Sequence, residues 1–237
     1  MKKLSLKGMR ALAGAVMACL AVTVGLACFF SGGGAVTVSS ESGSPVYFGN
    51  RQTGKVALMF NCYESERNIL KIAEILKKKG AKATFFVGGC FIDDKIDLLK
   101  TLLKDGHEIG NHGYFHKNHS KLNETGNLSE IKNTHNLVKG LCGVEMNLFA
   151  PPSGDFSKLT LKCAESLGYK TIMWSKDTVD WRDKNADLIY KRATTNLKSG
   201  DLVLMHPKDD TVIALEKILE YVKQAGLEAV TVSECLK

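Results

Sequence analysis

From Lys55 onward the chain alternates between short unbroken apolar runs and longer stretches whose apolar residues recur every three or four positions. Val56-Ala57-Leu58-Met59-Phe60 is the first run, and its continuity predicts a strand buried on both faces. Ile69, Ile72, Ala73 and Leu76 then keep helical spacing. Lys77-Lys78-Lys79-Gly80 closes them with the basic turn and glycine that end a helix. The same alternation predicts strands over 83–87, 107–111, 147–150, 171–174, 201–205 and 228–232. Helices are predicted over 96–104, 128–141, 158–167, 186–197 and 212–224. Roughly seven β/α units with apolar strands imply an α/β fold, a parallel sheet covered by helices. Both an open doubly wound sheet and a barrel satisfy the pattern.

The N-terminal part breaks this rhythm. Residues 11–30 carry no charge and follow Lys2, Lys3, Lys7 and Arg10. About twenty apolar residues match a bilayer core, and the basic cluster places the N-terminus in the cytoplasm. We read 1–30 as a membrane anchor or signal segment, 31–46 as a flexible Gly/Ser-rich spacer and 47–237 as the folded domain. The domain is thereby expected outside the cytoplasmic membrane, or secreted if the segment is cleaved.

Charge and cysteine content change little. Four of the +7 formal charges lie in the tip of the chain, so the domain is mildly basic and shows no nucleic-acid stripe. Seven cysteines, two of them in the apolar segment and five scattered, do not form a disulfide framework.

The unusual polar residues follow the ends of expected strands. They are Asn61 with Cys62, His112 with His116, Pro151 with Pro152, Asp177 with Asp180, and His206. In a barrel those positions share one rim, where active sites form. His112 and His116 have the spacing to aim two imidazoles at one cation, and His119 lies close enough in sequence to join them. His206 could serve as a general acid or base, oriented by Asp180, and Trp181 offers a stacking face for a sugar. This set spells metal-assisted hydrolysis.

The motifs Gly106-His107-Glu108-Ile109-Gly110-Asn111-His112-x-x-x-His116, Ala83-Thr84-Phe85-Phe86-Val87, Trp174-Ser175-x-Asp177-x-x-Asp180-Trp181 and Leu204-Met205-His206 resemble the NodB-homology polysaccharide deacetylases, carbohydrate esterase family four. The likeness covers about 56–236. It implies a distorted (β/α)7 barrel, a divalent ion (most often Zn2+), and removal of N-acetyl groups from a cell-wall-type glycan, peptidoglycan or chitin-like. It also implies a metal site at His112 and His116 with Cys62 or His119 as third ligand. Catalytic positions fall at His206, Asp180 and Asn61, and substrate contacts at Trp181, Pro151 and Pro152. The chain departs from the family at three places. Asn61 stands where the family has its aspartate base, Cys62 where it has its metal aspartate, and Ala150 where it has an arginine. The alternative expectation is therefore a catalytically silent relative that binds glycan.

Overall fold

The computed structural model describes residues 43–237. The expected anchor and nearly all of the expected spacer lie outside the described residues. No helix among the described residues is long and apolar enough to cross a membrane.

Among the described residues, eight parallel strands form one curled sheet: β1 Lys55–Cys62, β2 Thr84–Val87, β3 Glu108–Asn111, β4 Leu148–Phe149, β5 Lys170–Thr171, β6 Lys176–Asp177, β7 Leu202–Met205 and β8 Glu228–Val230. Their spatial order is β5-β4-β3-β2-β1-β7-β6, with β8 on the first residues of β1. The helices are α1 Glu66–Lys79, α2 Gly89–Ile92, α3 Ile96–Lys104, α4 Glu124–Cys142, α5 Lys158–Ser166, α6 Ala186–Thr194, α7 Asp209–Gln224 and α8 Val232–Cys235.

The single strand expected over 171–174 is split. Its start, Thr171, lies in β5 and pairs with β4, and the chain rejoins the sheet only beyond residue 174, as β6, which pairs with β7 at the other end of the sheet. Met173 donates its N–H to Val46 O at 2.8 Å, whereas Ser175 donates to Leu202 O at 3.0 Å, so the chain changes partners between them. This one interrupted strand spans the seam of the curled sheet and makes it a distorted (β/α) barrel. Residues 46–49 reinforce the seam: Val46 pairs with Ile172 and Phe48 with Asp201.

Side-chain alternation divides β1 between two cores. Val56, Leu58, Phe60 and Cys62 join the cluster shared with the helices, including Ile69, Ile72 and Leu76 of α1. Ala57 and Met59 face a smaller interior cluster with Phe86, Leu148, Ile172 and Leu204. Both faces being dry explains the unbroken apolar run. α1 ends where expected, with Gly80 in the left-handed region at φ 67° and the Ala81 N–H reaching Leu76 O at 2.9 Å. The last strand stops at Val230 instead of 232. Thr231 caps α8 there, its hydroxyl accepting from the Glu234 N–H.

Candidate functional site

The carboxyl ends of β1, β3, β4, β6 and β7 lead into the loops that carry the polar residues. Parallel strands send those ends to one rim.

On the β3 side, His112 continues the ladder, its N–H reaching Val87 O at 3.0 Å. Its ring is buried, and Nδ1 donates to the Ala150 carbonyl at 2.7 Å, which leaves Nε2 with a bare lone pair. Burial, and then the neighbouring His116, press its pKa down to about 3, so the imidazole is neutral across the physiological range. The His116 ring meets it edge-on, with centroids 5.1 Å apart, and burial lowers this pKa as well. His119 is fully buried. Its Nδ1 donates to Asn127 Oδ1 at 2.8 Å, while Nε2 has no hydrogen-bond partner.

On the opposite side, Asp180 holds His206. Oδ1 accepts from His206 Nδ1 at 2.7 Å, and Oδ2 accepts the His206 backbone N–H and the Thr211 hydroxyl, each at 2.6 Å. The imidazole is therefore fixed by its Nδ1 and presents Nε2. The chain reaches Asp180 through Val179 at φ 55°, a strained conformation for a β-branched residue. Asp177 Oδ1 steadies that turn by accepting the Val179 N–H at 2.8 Å.

The end of β1 is where the chemistry changes. Asn61 is nearly buried, by alternation on the interior face with Ala57 and Met59, and its Oδ1 has no partner. Cys62 falls on the helix-facing side with Phe60, fully buried, its Sγ 3.4 Å from Phe60 O. Burial pushes its thiol pKa upward, so it is not a thiolate. Among the described residues no three His, Cys, Asp or Glu side chains gather in a group that could hold a metal ion. The expected third ligands thus part from the pair. Cys62 faces the other side of the strand, and His119, held through Nδ1 by Asn127, does not group with His112 and His116. Two neutral imidazoles without a third protein donor do not fit a catalytic zinc site, which takes three.

Pro151 and Pro152, expected to touch substrate, are buried, and Pro152 packs close beneath Gly113. Trp181 is 56% exposed and stands on the rim beside Asp180. The sequence reading overlooked Glu130 and Thr211. Glu130 is buried on α4, and one of its oxygens accepts the N–H groups of Tyr114 and Phe115 at 2.8 and 2.7 Å. The available signal was the stripe Asn127, Glu130, Thr134, polar residues at helical spacing on a face that also carries Ile131 and Val138.

Residues 49–172 match the polysaccharide deacetylase family. The uncharacterized protein YlxY of Bacillus subtilis is 36% identical over 202 residues, 85% of this chain and 63% of that protein. A peptidoglycan-N-acetylglucosamine deacetylase of Bacillus cereus is 36% identical over 178 residues, covering 70% of this chain and 81% of the enzyme. Among solved structures, a CE4 family pseudoenzyme from Bacillus anthracis superposes with a TM-score of 0.80 at 31% identity, over 83% of this chain and 70% of that one. A mutant of that pseudoenzyme, described as having restored enzymatic activity, superposes equally well, with a TM-score of 0.80 at 30% identity and coverage of 83% and 72%.

Proposed function

Because the chain belongs to the polysaccharide deacetylase family, we propose that it is an exported glycan-binding protein that holds N-acetylated, peptidoglycan-type sugar at the deacetylase rim without removing the acetyl group. One observation carries this reading: the end of β1 supplies an amide and a thiol packed against the helix layer, Asn61 and Cys62, in place of two carboxylates. An amide cannot take a proton from an attacking water, and a thiol packed into the helix-facing cluster is turned away from the face that Asn61 shares with the interior. What remains suits recognition. His112 and His206 each present an imidazole nitrogen to the rim, and the exposed Trp181 offers an apolar face to a pyranose ring.

Hydrolysis is the second reading, and the Asp180–His206 pair favours it. An imidazole fixed by a buried carboxylate is suited to protonating a leaving amine. That pair alone lacks a partner to activate water. Calorimetric titration of the full chain with N-acetylglucosamine hexamer tests the binding reading. Saturable heat is expected, reduced in Trp181→Ala, and its absence would remove the proposal.

A further inference from the structure

The loop joining His112 to His116 is fixed from both sides. Glu130 Oε2 takes the Tyr114 and Phe115 N–H groups, and Oε1 lies 3.6 Å from Lys117 Nζ. Across the loop, the N–H groups of Gly89 and Cys90 donate to the carbonyls of Gly113 and Tyr114 at 2.9 and 3.1 Å. The Tyr114 ring lies so close to Gly89 that a Cβ there would stand 2.2 Å from it, so this packing needs glycine at 89. His116 then turns back at φ 55° to set its ring against His112.

What this arrangement holds outward is Phe115. The residue is 54% exposed, its ring touched edge-on by Tyr114 at 4.7 Å, with Lys117 Nζ 5.2 Å from its centroid. A buried carboxylate is costly unless hydrogen-bonded, and here its bonds go to the two amides that aim one exposed aromatic ring. Exposed phenylalanine adds nothing to the core, whereas a rigid aromatic face beside the histidine rim suits the C–H face of a sugar and loses little entropy on binding.

We propose that Phe115 is a stacking residue for a sugar ring of the bound N-acetylated glycan, and that buried Glu130 is the positioning residue that holds it. This rests on the glycan-binding reading above. Full-chain protein is titrated with N-acetylglucosamine hexamer as wild type, Phe115→Ala, Phe115→Tyr, Glu130→Gln and Trp181→Ala, with melting temperature recorded for each. Phe115→Ala is expected to raise Kd about fivefold with no change in melting temperature, and Phe115→Tyr to stay within about twofold of wild type. Glu130→Gln is expected to weaken binding together with faster amide exchange at 114 and 115, a change that loss of overall stability would not confine to those amides. If Trp181→Ala weakens binding while Phe115→Ala binds as wild type does, the Phe115 assignment falls and the glycan reading stands. If Phe115→Tyr is as weak as Phe115→Ala, stacking is overturned. If wild type binds no glycan, both readings fall.

Discussion

Both carboxylate oxygens of Asp180 hold His206, Oδ1 accepting from His206 Nδ1 at 2.7 Å and Oδ2 from the His206 backbone N–H at 2.6 Å. The Asp180 side chain is fully buried, and Thr211 adds a third donor. Removing one partner of a buried, hydrogen-bonded pair strands the others. Asp180→Ala is expected to destabilise the fold by about 3 kcal/mol, and Thr211→Val by about 1 kcal/mol. Urea denaturation measures both, and equal, negligible losses would show the network to be dispensable.

Cys62 gives the second prediction. With its thiol packed against the helix layer, alkylation of native protein at mildly alkaline pH should leave Cys62 unmodified, before and after added zinc, while the denatured chain reacts fully. Peptide mass mapping reads this. Cys62→Ala should cost about 1–2 kcal/mol. Cys62→Asp, which puts the family's residue there, buries a carboxylate and should cost more than about 3 kcal/mol.

Acid sensitivity follows from His107, just before β3 and away from the rim. Its Nδ1 accepts the Ala83 N–H at 3.3 Å, and Nε2 is buried without a partner. Burial, with the nearby Lys82 charge, lowers its pKa from 6.5 to about 4. Below pH 6.5 the unfolded chain binds a proton that the folded protein refuses until about pH 4. The stability contribution is therefore complete above 6.5, falls with pH through that window and is flat below it, a loss of about 3 kcal/mol in all. His112 adds the same sign. His107→Gln keeps an acceptor for Ala83 and should flatten the fall by about 1.4 kcal/mol per pH unit, measured by denaturation at several pH values.

Val179 stores backbone strain on the way to Asp180. Val179→Gly frees a φ of 55° and should raise stability by about 1 kcal/mol, less whatever packing the half-buried side chain supplies. A loss of stability would mean that packing outweighs the strain.

The barrel was legible because β1, β2 and β7 are buried on both faces and α1 announces its end with Lys77-Lys78-Lys79-Gly80. The split of β5 from β6 was not, because the change of partner rests on Val46 and Leu202, far away in sequence. The same holds at the site. Residue types marked His112, His116, Asp180 and His206, and the structure places each on the rim. The direction of Cys62 depends on strand alternation, which chemistry-based reading overlooked. Glu130 was hidden because a glutamate on a helix reads as solvated until the neighbouring loop is seen to supply two amides.

Acetate release from N-acetylglucosamine hexamer, by full-chain protein with added zinc and with glycan binding verified in the same sample, tests the central claim most directly. Binding without acetate above the protein-free blank is the predicted result. Several equivalents of acetate per protein, abolished by His206→Ala, would contradict it and make the chain a working deacetylase that needs neither carboxylate of β1.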